Sequence, residues 1–261
     1  MQLKRYQIDA FAESIFKGNP AVVCPLDAWL PEGVMQNIAM ENNLSETAFY
    51  VKQQEGYHIR WFTPTVEAPL CGHATLAAAY VLFNHENHVG DKISFNSQSG
   101  PLTVTKSKDL LTLNFPVDTF NEEKAIPELE QGLGAKSLKT FRGKNDYMLV
   151  FDSEEIIKTM NPDFKQIAKV KARGIIVTAR GNTVDFVSRF FGPQTGIDED
   201  PITGSAHTTL TPYWSGVLGK SELNALQLSK RGGKLRCKLI GDRVAISGTA
   251  KLFSTGIIYL N

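Results

Sequence analysis

Glu67-Ala-Pro-Leu-Cys-Gly-His-Ala74 and Glu199-Asp-Pro-Ile-Thr-Gly-Ser-Ala206 share Glu, Pro, Gly and Ala in register, with Leu70 opposite Ile202. Aligning Gly72 with Gly204 sets an offset of 132 residues in a chain of 261. An offset of about half the chain implies one unit used twice, because a solenoid needs a shorter period. Just upstream, Arg60-Trp-Phe-Thr-Pro64 echoes Arg189-Phe-Phe-Gly-Pro193. Residues 47–52 and 57–62 read as two strands joined around Glu55-Gly56. Residues 174–179 and 183–191 flank Arg180-Gly-Asn182 in the same way, and each hairpin leads into its glycine motif. Beyond the first motif, residues 73–83 are good helix formers and apolar nearly all round, which marks a buried helix. Its counterpart begins near Ser205 and runs toward Leu218. Pro212 removes a backbone donor there and predicts a kinked or shortened helix.

Residues 31–42 carry an amphipathic helical pattern, 102–105 and 110–115 a hairpin, and 161–169 a helix opened by Pro162. Strands outnumber helices. The expected class is α/β (α+β), with pseudo-symmetric halves at 1–117 and 118–261 and a crossover in 116–124, where proline and polar residues end the first strand set. Residues 251–260 are strand-like and can cross back to the N-terminal half.

Apolar residues make up 42% of the chain, enough for a substantial core. Lys plus Arg (28) nearly cancels Asp plus Glu (27), so there is no electrostatic footprint for nucleic acid or an acidic membrane. A small ligand, neutral or with a single anionic group, fits better. The N-terminus lacks a secretory apolar core, and no apolar run approaches the ~18–20 residues of a membrane span, so a soluble cytoplasmic protein is expected. Cys24, Cys71 and Cys237 are an odd count with wide gaps. That pattern excludes a C-x-x-C redox pair and a zinc-finger spacing, and all three read as reduced thiols.

A glycine followed at once by a helix leaves amide N–H groups that, with the macrodipole, receive a carboxylate or a developing anion. If the two halves face each other, the amides after Gly72 and Gly204 converge on one cleft; otherwise each glycine only permits a tight turn. Glu46 sits at the mouth of an apolar strand. A desolvated carboxylate there has a raised pKa and serves as general acid or base, whereas a solvated one is a weak base. His73 begins the first helix, where the dipole favours neutral imidazole, and Asp200 precedes the second glycine. Ser205 stands where the repeat places His73, and it offers hydroxyl and amide donors to a ligand or caps its own helix.

The chain has no Gly-x-Ser-x-Gly elbow, Walker-type loop, Rossmann fingerprint or His-Glu-x-x-His motif. Hydride and phosphoryl transfer normally leave a binding signature, whereas proton transfer runs on carboxylate, imidazole and amides. No cofactor and no metal are therefore expected.

Gly18-Asn-Pro-Ala-Val-Val23, Asn43-Leu-Ser-Glu-Thr-Ala48, Cys71-Gly-His-Ala-Thr75 and Glu199-Asp-Pro-Ile-Thr-Gly-Ser-Ala206, in that order along nearly the whole chain, resemble the PhzF (phenazine biosynthesis-like) family. The resemblance implies a diaminopimelate-epimerase-like fold, with each half wrapping a central helix in a curved sheet, and a homodimer. It implies that Glu46 is catalytic, that His73 and Asp200 are its polar partners, and that Ser45, Gly72, Gly204 and Ser205 bind substrate. In the phenazine-pathway enzyme the reaction isomerises a dihydro-hydroxyanthranilate by moving a proton between carbons. Diaminopimelate epimerase and proline racemase share the fold but use two cysteines. Here Cys71 lies at the first such position and Thr203 stands at its repeat counterpart, which disfavours a two-thiol racemase. Two other readings stay open: an epimerase in which Cys71 supplies one base, and a non-catalytic metabolite-binding protein on the same fold.

Overall fold

The computed structural model describes residues 1–260, among which eighteen strands and six α-helices form. Two compact units divide the chain, one of Met1–Asn114 with the segment from Ser247 onward, the other Phe115–Ile246.

In the first unit, β1 (Gln2–Ala10) and β2 (Asn19–Leu26) pair antiparallel. After α1 (Glu32–Asn42), β3 (Glu46–Lys52) lies parallel to β2 and antiparallel to β4 (Tyr57–Phe62). One end of β4 pairs with the short β5 (Glu67–Ala68) and the other, in parallel, with β6 (Lys92–Ser97), which follows α2 (Gly72–Asn84). Next come β7 (Gly100–Ser107) and β8 (Leu110–Pro116), each antiparallel to the strand before it. The helix α2 buries nine residues, among them Leu76, Ala77, Ala78, Ala79 and Val81, and packs on β1, β2 and β3. A helix apolar on every side has to be enclosed, and its alanines let the sheet come close.

The second unit opens with β9 (Phe120–Glu123), α3 (Pro127–Leu133), β10 (Lys139–Gly143) and β11 (Asp146–Val150). Then follow α4 (Glu154–Thr159), α5 (Phe164–Ile167), β12 (Gly174–Arg180), β13 (Phe186–Gly192) and β14 (Ile197–Glu199). It closes with α6 (His207–Leu218), β15 (Glu222–Gln227), β16 (Gly233–Ile240) and β17 (Arg243–Gly248). The pairing of β10 to β16 repeats that of β1 to β7 step for step, including the parallel β11–β12 and β13–β15 contacts. On the outer edge of β10 lies β9. On the equivalent edge of β1 lies the last strand, β18 (Ala250–Tyr259), antiparallel along its whole length.

Three differences from the sequence expectations have physical causes. Pro212 does not shorten α6, because the Thr208 carbonyl that its missing N–H would have served accepts the Asp118 amide instead, at 3.2 Å. The helix expected over 161–169 contracts to α5, because Asp163 caps it by accepting the Gln166 N–H at 3.1 Å. The helix expected from near Ser205 begins at His207. Residues 204–206 form a tighter turn, in which His207, Thr208 and Thr209 each donate to the carbonyl three residues back at 3.1–3.2 Å.

Candidate active site

The first unit gathers Glu46, Cys71 and His73. Glu46 is the first residue of β3, Cys71 the N-cap of α2 and His73 the second residue of that helix. The Glu46 carboxylate oxygen Oε2 stands 3.2 Å from His73 Nε2, with side-chain exposures of 15% and 5%. The other imidazole nitrogen, Nδ1, faces Asn19 Nδ2 at 3.2 Å and Cys71 Sγ at 3.6 Å. Burial pushes the His73 pKa down to about 3, so the ring is neutral at physiological pH. Ser45 occupies the bend just before Glu46, and Gly72 opens α2. Thr75 closes the turn by donating its hydroxyl to the Cys71 carbonyl. Neither Gly72 nor Gly204 has a positive φ, so left-handed backbone is not what calls for glycine at these two places.

Glu46, Cys71 and His73 bring a carboxylate oxygen, a sulfur and an imidazole nitrogen within 4.8 Å of one another. This is a donor set that zinc accepts, although widely spaced cysteines had suggested no metal. The three would hold such an ion only with Cys71 ionised and the His73 ring nitrogen bare.

In the second unit, Asp200 lies between β14 and the turn that begins α6. Its carboxylate Oδ2 accepts the Thr203 hydroxyl, and Gln227 Nε2 donates to the Asp200 carbonyl at 2.8 Å and to Thr203 Oγ1 at 3.2 Å. The Gln227 amide oxygen accepts the Thr203 N–H at 2.9 Å, so one buried side chain braces the whole turn. Gly204 and Ser205 follow. Ser205 Oγ accepts from Arg173 Nη1 at 3.0 Å, while the remaining face of that guanidinium forks onto the buried Asp146 carboxylate. His207, fully buried, donates from Nδ1 to the Thr203 carbonyl at 2.9 Å, and burial lowers its pKa to about 4.

The repeated arginine and glutamate form the same fork twice. Arg60 donates to Glu67 through Nε and Nη2 at 2.7 and 2.6 Å, and Arg189 to Glu199 at 2.7 and 3.0 Å. Each guanidinium also lies over the phenylalanine two residues on, Phe62 at 5.1 Å and Phe191 at 4.9 Å. The fork ties the strand before each glycine motif to the motif itself.

Sequence reasoning had not assigned roles to Asn19, Arg173, Asp146 or Gln227. Asn19 lay inside the Gly18-Asn-Pro motif and was findable. Arg173, Asp146 and Gln227 reach the site only through strand pairing, which leaves no local signal. A groove of about 750 Å³ lined by Leu30, Pro31, Val34, Ile38, Ile258 and Leu260 lies in the first unit and includes none of the candidate residues.

The fold is that of an epimerase-like class. The crystal structure of a hydroxyproline epimerase from Agrobacterium vitis superposes with a TM-score of 0.63 over 98% of this chain and 92% of that one. At 8% identity that likeness is one of fold alone.

The chain belongs to the PhzC-PhzF family of phenazine biosynthesis-like proteins, whose profile matches residues 8–256. A PhzF-family crystal structure from Enterococcus faecalis is 50% identical, with a TM-score of 0.97 and full coverage of both chains. A Pseudomonas aeruginosa protein named an uncharacterized isomerase is likewise 50% identical over 261 residues, again covering both fully. These relatives support isomerase activity at the level of the family. No helix among the described residues is long and apolar enough to cross a membrane.

Proposed function

We propose that this protein is a cofactor-independent isomerase that moves a proton between carbons of a small carboxylate-bearing metabolite, with Glu46 as the general acid and base. The observation that carries the reading is the Glu46–His73 contact of 3.2 Å at the head of a buried helix, where both side chains are largely shielded from water. A carboxylate held so receives a proton from a carbon acid and returns it elsewhere, with the neutral imidazole beside it. The amides that open α2 suit the substrate's anionic group. We assign Asp200 to proton handling in the same reaction, and Ser45, Gly72, Gly204 and Ser205 to substrate binding. The reading also includes a cytoplasmic homodimer, which light scattering of the purified protein and fractionation of the native cell check.

A panel of carboxylate metabolites incubated with the enzyme in heavy water, chelator present, tests the chemistry by mass spectrometry. Some member should take up deuterium at carbon, and Glu46→Gln should slow that uptake by ~10²–10⁴-fold while the fold is kept. Uptake undiminished in Glu46→Gln removes Glu46 from the mechanism. The thiol 3.6 Å from His73 Nδ1 supports a second reading, in which Cys71 is the base. Cys71→Ser then becomes the damaging substitution. A protein that binds metabolites and never exchanges their protons would be a binding protein on the same fold.

A further inference from the structure

Gly18-Asn19-Pro20 belongs to the family pattern, and the proposed chemistry gives it no task. Gly18 has φ +68°, and a Cβ there would stand 2.1 Å from the Ala10 carbonyl oxygen and 2.9 Å from Ala12 Cβ. Only glycine fits this left-handed turn. The turn sets Asn19 as the first residue of β2, fully buried, with its amide nitrogen Nδ2 at 3.2 Å from His73 Nδ1. Burial of a polar amide is costly unless it is hydrogen-bonded, so this contact is a reason for asparagine at the position.

We infer that Asn19 is a positioning residue that locks His73 in the tautomer with its proton on Nε2, so that the imidazole turns an N–H rather than a bare nitrogen toward Glu46 Oε2. The inference rests on the reading of Glu46 as an ionised base, and it follows from counting protons. A neutral imidazole carries one ring N–H and presents one bare nitrogen. With the proton on Nδ1, the bare Nε2 would face a carboxylate oxygen at 3.2 Å, two acceptors with nothing between them. The proton therefore sits on Nε2, and the bare Nδ1 needs a donor. Asn19 Nδ2 supplies it, and the Cys71 thiol at 3.6 Å faces the same nitrogen as a weaker one. An N–H donor on Nε2 also blocks that nitrogen as a metal ligand.

His207 provides an internal reference, because its Nδ1 faces a carbonyl oxygen, which only accepts, and so carries the proton. Nitrogen-15 NMR of the intact protein labelled at histidine reads both rings in one spectrum. His73 should show a protonated Nε2 and a bare Nδ1, and His207 the reverse. Asn19→Asp replaces the donor by an acceptor and should transfer the His73 proton to Nδ1 while leaving His207 unchanged. Cys71→Ala should leave the His73 pattern as it is. A wild-type His73 protonated on Nδ1, or a pattern that survives Asn19→Asp in folded protein, overturns the inference. A pattern reversed by Cys71→Ala assigns the lock to the thiol and overturns it too. If Asn19→Asp does not fold, the wild-type and Cys71→Ala spectra still decide. These readings are independent of deuterium uptake, so a correct tautomer in a protein that exchanges nothing would sink the proposed function and leave the lock intact.

Discussion

Glu46 and Gly174 occupy the same place in the two copies of the unit and have opposite characters. Arg60 pairs with Phe49 on β3 and Arg189 with Val177 on β12, and three residues earlier on each strand stand Glu46 and Gly174. The parallel neighbour of Glu46 is Ala21, whereas that of Gly174 is Asp146. The second copy thus carries its carboxylate one strand over, paired with Arg173, whose counterpart in the first copy is Ser45. Phe190 fills the space that a side chain at 174 would need. What duplication kept is the scaffold: the Arg–Glu fork, the strand order and the enclosed helix. What it let diverge is the chemistry, with a carboxylate beside a neutral imidazole in one copy and a charge-neutralised Asp146–Arg173 pair steadying Ser205 in the other. A guanidinium has no acceptor, so Ser205 accepts from Arg173 and keeps its own proton to donate.

The contrast is broken most directly by its largest expected effect. Glu46→Gln should lower proton exchange by ~10²–10⁴-fold with little change in urea midpoint, as a residue kept for chemistry rather than folding would show. Arg189→Ala should do the reverse, lowering the urea midpoint because Glu199 and the carbonyls that the guanidinium serves lose their donor. Arg60→Ala should cost less, since the added partner of Arg60 is the exposed Glu32 carboxylate at 2.9 Å, whereas Arg189 also donates to the Ile157 and Met160 carbonyls at 3.1 and 2.6 Å. Equal losses for the two arginines would show that those carbonyl bonds contribute no more than the Glu32 pair. Gly174→Ala should cost about 1–3 kcal/mol, as its Cβ would meet Phe190 Cζ at 2.0 Å, whereas Glu46→Ala faces no such clash.

A last test sharpens the comparison through pH. His73 and His207, one in each unit, have pKa values lowered by burial from 6.5 to about 3 and about 4. Between those values and 6.5 the unfolded chain binds the protons and the folded chain does not. Stability should therefore fall as pH drops below about 6.5, by up to ~1.4 kcal/mol per pH unit for each histidine, and the slope should level off below about 4 and then 3. His207→Gln should remove one share of that slope. A slope unchanged in this variant would show that the ring titrates equally in both states.

Much of this was legible in the chain. The Gly72 and Gly204 motifs announced the duplication, the apolar run after His73 announced an enclosed helix, and Glu46, His73 and Asp200 stood out as polar residues at element ends. The short helices α3 and α4 passed unnoticed, because six or seven residues carry too little periodicity to separate from a loop. The continuation of α6 through Pro212 was equally hidden. It depends on an amide from Asp118, ninety residues earlier in the chain.

Residue order by itself determined that one α/β unit occurs twice, that each copy carries a helix with a buried face, and that polar residues stand at the ends of its elements. These are properties of local pattern and composition, and short-range sterics and burial enforce them wherever the segment lies. Only the tertiary structure decided which side chains touch: Asn19 with His73, Arg173 with Asp146 and Ser205, Gln227 with Thr203. Strand register sets these contacts, and register is fixed by pairing between segments tens of residues apart, so no neighbouring residue in the chain records it.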